Sequence, residues 1–148
     1  MPLDCWIPAT FDHSNGGAII AGAGSGVRLK RLDAANQLGY PTLIEVKAGP
    51  FCGSVRDDTI GSYSKFLNEL RVLYEQLSGS ATLKSYEGFS LVLTGDRRGA
   101  IWVSVVVIGE PVPSIRLSFE FGIDQSYLPE IIRAIADEFP PPTRMLGS

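Results

Sequence analysis

Ile115-Arg116-Leu117-Ser118-Phe119-Glu120-Phe121, then Gly122-Ile123-Asp124-Gln125-Ser126, then Tyr127-Leu128-Pro129-Glu130-Ile131-Ile132-Arg133-Ala134-Ile135-Ala136-Asp137-Glu138-Phe139 is the run that decides the fold. Its first part alternates. Ile115, Leu117, Phe119 and Phe121 share one side and Arg116, Ser118 and Glu120 the other, which is a half-buried strand. Asp124 and Ser126 offer side-chain oxygens to the unbonded amides of a first helical turn, and Pro129 is tolerated there but not deeper. From Leu128 the apolar residues fall at Ile131, Ile132, Ile135, Ala136 and Phe139, one face of a helix that Pro140-Pro141-Pro142 ends.

Working upstream, three more alternating or apolar segments, about 81–86, 89–94 and 100–108, are joined to this strand by short turns. Glu87-Gly88, Gly95 to Gly99 and Gly109 to Pro113 carry the turn chemistry, and such short links imply antiparallel neighbours in meander order. Ile101 to Ile108 is apolar in both parities, so it is expected centrally, with the two helices as cover above and below. A first helix starts after Ser62 and stops at Gly79, with Phe66, Leu67, Leu70, Leu73, Tyr74 and Leu77 on its apolar face. The first 60 residues read as sheet: a strand before Asn15-Gly16, then Ala18 to Ala23, Val27 to Leu32 with Arg28 and Lys30 outward, Thr42 to Ala48, and Phe51 to Val55. The fold class is α+β, a mainly antiparallel twisted sheet with two amphipathic helices at about 62–78 and 126–139, in a single domain spanning 1–148.

Composition narrows the partners. Hydrophobic residues are 45% and charged ones 20%, enough to build a core without a metal or a disulfide framework. A net charge of −3 and a pI near 5.1 supply no basic field for phosphates, so nucleic acid is not expected as the partner. No basic n-region opens the chain and no apolar run approaches the roughly 20 residues of a membrane helix, so no membrane association and a cytoplasmic location are expected. Cys5 and Cys52 stand alone in sequence and read as reduced, mostly structural thiols, a bridge between them being the less favoured alternative.

Candidate catalytic patterns fail in detail. Gly22-Ala23-Gly24-Ser25-Gly26 lacks the last glycine of a dinucleotide loop and runs into a strand, so it reads as a hairpin connection. His13, the single histidine, lies in a polar turn, and there is no GxSxG elbow. One histidine and two distant cysteines do not build a zinc set, and Asp57-Asp58 or Asp137-Glu138 do not build a calcium loop. No catalytic residue, cofactor or metal is therefore assigned.

A helix of the type Phe66-Leu67-Asn68-Glu69-Leu70, the step Gly79-Ser80-Ala81, the run Ser85-Tyr86-Glu87-Gly88, the segment Asp96 to Ile101, and Phe119-Glu120-Phe121 followed by Asp124-Gln125-Ser126-Tyr127-Leu128 together carry a likeness. Over Phe66 to Phe139 the chain resembles the WapI-type immunity proteins of bacterial polymorphic toxin systems. That resemblance implies a non-enzymatic protein that binds a cognate toxin and blocks its active site or its target contact. It transfers no contact residues. The exposed lettering of the last strand and helix points to Arg97, Arg116, Glu120, Asp124 and Glu130 as partner-binding candidates. Two other readings stay open: a small-molecule-binding domain or enzyme with a pocket beside the glycine-rich N-terminal half, and an assembly subunit marked by a large apolar patch.

Overall fold

Residues 16–22, 24–37, 39–111 and 114–140 are described by the computed structural model, so the expectations for His13, Cys5 and a strand before Asn15 fall outside them. Alternation produces eight strands: β1 (Ala18–Gly22), β2 (Ser25–Arg31), β3 (Tyr40–Ala48), β4 (Phe51–Ile60), β5 (Ser78–Lys84), β6 (Ser90–Asp96), β7 (Ala100–Pro111) and β8 (Ser114–Asp124). Helix α1 (Tyr63–Gln76) joins β4 to β5, and α2 (Leu128–Glu138) follows a single 3-10 turn at Gln125–Tyr127. The strands form two antiparallel four-stranded sheets, β1-β2-β3-β4 and β5-β6-β7-β8, each a meander. The glycine run is a hairpin connection as expected, with Gly22 opposite Ser25 and Gly24 at φ 73° in the left-handed region.

Both helices turn their apolar faces into one core shared by the two sheets. Tyr63, Phe66, Leu67, Leu70 and Leu73 are the buried residues of α1, whereas Tyr74, expected on that face, is 42% exposed. The buried stripe thus starts one turn earlier than the sequence suggests. Leu77 ends α1 in the left-handed region at φ 59°, two residues before the glycine expected to stop it, and its carbonyl accepts from Arg97 N–H at 2.8 Å. On α2, Leu128, Ile131, Ile135 and Phe139 are buried as their spacing predicts. Tyr63 and Phe139 stack at 3.8 Å with Tyr40 edge-on at 5.5 Å from Phe139, which ties β3, α1 and the end of α2 together. The Tyr63 hydroxyl meets Thr42 Oγ1 at 3.0 Å, and burial pushes its phenol well above the usual range.

The sheets meet edge to edge at β1 and β8. A Cβ on Gly22 would stand 2.5 Å from the Gly122 carbonyl oxygen and 2.9 Å from the Phe121 ring, so only glycine allows this approach. Three expectations are corrected here. β7 lies between β6 and β8 as a central strand should, but only one of its faces is covered, because both helices pack on the inner side. Arg28 keeps its outward parity yet is only 5% exposed, and Glu45, directly opposite it, accepts from Nε at 2.7 Å. Cys52 is disulfide-bonded, and the argument for a reducing compartment loses that thiol. Among the described residues, no helix is long and apolar enough to cross a membrane.

Candidate functional site

The outer face of the second sheet is built by register. One row reads Ser80, Thr94, Trp102, Gly122, and the next reads Thr82, Val92, Ser104, Glu120. A third reads Lys84, Ser90, Val106, Ser118, with Ile108 opposite Arg116 beyond it. Their in-between neighbours Leu83, Leu91, Leu93, Val103, Val105 and Phe121 fill the core, so pleating alone turns these rows to the outside. The centre is small hydroxyls and β-branched side chains. Trp102 is the large exception and is 53% exposed.

The indole is held in place. Its Nε1–H donates to Glu120 Oε1 at 2.8 Å, and Ser104 Oγ donates to Glu120 Oε2 at 3.3 Å. Its ring lies over the directly opposite residue's missing side chain: a Cβ on Gly122 would come within 3.3 Å of Trp102 Cζ3. Gly122 thus gives the indole a flat seat against the sheet.

Of the five sequence-derived candidates, Arg116, Glu120 and Asp124 share the outward side of β8, spaced about 13 Å apart at roughly 3.3 Å per residue. Arg97 lies at the Asp124 end, in the β6–β7 turn at φ 72°, where Asp96 accepts from Arg98 N–H at 2.7 Å and Ala100 N–H at 3.0 Å. Gly99 joins this turn to β8's end by accepting from Gln125 N–H at 2.7 Å. Asp124 accepts from Ser126 N–H at 2.9 Å, as its capping role predicts, and that bonding holds its carboxyl below the usual range. Glu130 stands apart on α2, paired with Arg133 at 2.6 Å. Trp102 was not among the candidates. Its only sequence signal is Ser104, the one polar letter in an apolar run, which marks the outward parity of β7.

Two grooves compete with this face. One of about 580 Å³ is lined by Asn36, Tyr40, Thr59, Tyr63, Lys84 and Phe139, not by the glycine-rich segment. Four of its hydroxyls are already engaged: Tyr63 with Thr42, Tyr40 with the Pro140 carbonyl, Thr59 Oγ1 with Asp57 at 2.7 Å, and Ser85 Oγ with the other Asp57 oxygen. The other, about 410 Å³, lies where β4 meets the β5–β6 turn and is lined by Val55, Asp57, Glu87, Phe89 and Ile108. Asp57 there is buried and accepts from Thr59 N–H at 2.8 Å and Ser85 Oγ at 2.5 Å. Burial, and then the nearby Asp57, raise the carboxyl of Glu87. Among the described residues no group of three or more metal-ligating side chains occurs.

No curated protein and no solved structure matches the chain. The model of the Immunity protein WapI-like family matches residues 36–141, from the loop before β3 through the end of α2. That stretch contains the whole second sheet, the open face with Trp102 and both helices, and by it the chain belongs to the Immunity protein WapI-like family.

Proposed function

We propose that this chain is a non-enzymatic immunity protein that neutralises a cognate bacterial toxin by covering the toxin's active site or target contact with the open face of its second sheet. The observation that carries this reading is the half-exposed Trp102, held by Glu120 on an outward face that neither helix covers. Rigid aromatic side chains surrounded by small polar neighbours are where binding energy concentrates at protein interfaces. Arg116, Glu120 and Asp124 line the same face, Arg97 stands at its end, and Glu130 would contribute only if the toxin also reaches α2. The acidic balance of the chain suits a basic toxin surface.

Co-expression with the toxin encoded beside this chain tests the reading. The expected outcome is a complex that copurifies and that Trp102→Ala weakens by at least about tenfold, the size of an interface anchor. Failure to copurify at micromolar concentration would count against it. We place this neutralisation in the cytoplasm on the sequence expectation of no basic leader, although the Cys52 disulfide argues the other way; thiol labelling of Cys52 in chain recovered from cells decides it, a blocked Cys52 counting against the cytoplasm. The small-molecule reading is disfavoured by the inward engagement of Tyr40, Thr59 and Tyr63 along the larger groove.

A further inference from the structure

We infer that Trp102 and Glu120 together form a receptor for an arginine side chain presented by the protein partner, an inference that rests on the toxin-binding reading above. Glu120 is an exposed carboxylate whose two oxygens are aimed by neutral donors, the indole N–H at 2.8 Å and Ser104 Oγ at 3.3 Å. Each oxygen keeps further acceptor capacity. The ion pairs among the described residues are Arg28–Glu45, Arg56–Asp58 and Arg133–Glu130, and none involves Glu120. The cations on the same face do not reach it. Arg116 is four residues along the strand, about 13 Å away, and Lys84 lies three strands across and two residues along, about 16 Å away at the usual spacings.

Beside this unneutralised carboxylate lies an indole whose inner face rests on Gly122 and whose outer face is open to solvent. A cation stacked on that outer face gains from the ring quadrupole, and a neighbouring carboxylate within reach adds a charge-assisted hydrogen bond. Guanidinium fits both demands at once. It is planar, so it stacks on the ring, and its fork of donors reaches sideways to a carboxylate, whereas a lysine ammonium is a compact, more strongly hydrated point charge. A partner offering a neutral or acidic group here would bury Glu120 without compensation, so the pair also rejects wrong surfaces.

The test uses the full chain labelled with 15N and titrated with N-acetyl-argininamide, N-acetyl-lysinamide and the neutral isostere N-acetyl-citrullinamide. The readout is the indole N–H resonance of Trp102, assigned by its loss in Trp102→Phe. The expected result is a saturable shift with the arginine compound, at least about threefold weaker binding of the lysine compound, no saturation with the citrulline compound, and loss of the arginine response in Glu120→Gln. An arginine response no stronger than that of citrulline, or one unchanged in Glu120→Gln, overturns the inference. Sedimentation of the chain alone closes the remaining route: a dimer that Glu120→Gln dissolves would mean that a second copy supplies the cation, and would overturn the assignment to a foreign partner. None of these measurements contains the toxin, so their failure leaves the copurification result standing, and the reverse holds.

Discussion

On the outward side of the first sheet, Arg28 and Glu45 stand opposite each other in register, Arg28 buried and Glu45 part-buried, and pair at 2.7 Å. On the outward side of the second sheet, Glu120 stands opposite Ser104, open to water, and is oriented by an indole and a hydroxyl with no cation among the described residues. The same residue type at the same kind of position therefore meets two different ends. Where a face is closed, burial of a charge is tolerable only with a counter-ion, so the chain supplies one itself. Where a face is left open, the carboxylate needs no counter-ion from its own chain and can take one from another molecule.

The largest effect that would break this contrast lies in the aromatic residues. Phe139→Ala, which removes a buried ring stacked on Tyr63, should lower unfolding stability by about 3–5 kcal/mol in urea. Trp102→Ala should cost under about 1 kcal/mol, as befits a half-exposed side chain. If the two losses were equal, the open face would belong to the fold and not to a partner. Next come the carboxylates. Glu45→Ala should cost about 2 kcal/mol by removing a part-buried, charge-assisted hydrogen bond from Arg28, against no more than about 0.5 kcal/mol for Glu120→Ala.

The smallest effect sits at the joint between the sheets, where Glu87 approaches Asp57. Burial and the neighbouring carboxylate raise Glu87's folded value above its ordinary 4.5, so the protonated form is favoured in the fold. Its stabilising contribution is complete below the unfolded value and is lost as pH rises through the folded one. Glu87→Gln should accordingly raise the urea midpoint at pH 7 and leave it unchanged at pH 3. A midpoint difference of the same size at both values would remove the titration as its cause.

Much of this was legible beforehand, and the reason is periodicity. The meander from β5 to β8 and the stripe on α2 are written at periods of two and 3.6, and the parity of β8 puts Arg116, Glu120 and Asp124 on one side without further information. What escaped depends on contacts between distant segments. Alternation is the same whether strands share one sheet or two, so the division after β4 was invisible; it shows in places such as Gly22 against Gly122. Arg28 reads as a solvated residue because its ion-pair partner Glu45 lies 17 positions away. Trp102 was hidden by a strand apolar in both parities, and Cys52 by a bond that spacing alone does not reveal.

The hairpin of β1 and β2 lies wholly before residue 36, outside the stretch shared with the family, yet β2 pairs along β3 and β1 abuts β8. A fragment trimmed to the recognisable boundaries would therefore carry a raw strand margin at β3 and uncover Ile44 and Val46, which β2 and its neighbours now shelter. Such a fragment is built to capture stray strands from its own kind, and anyone fusing or crystallising this body should keep the first 35 residues attached.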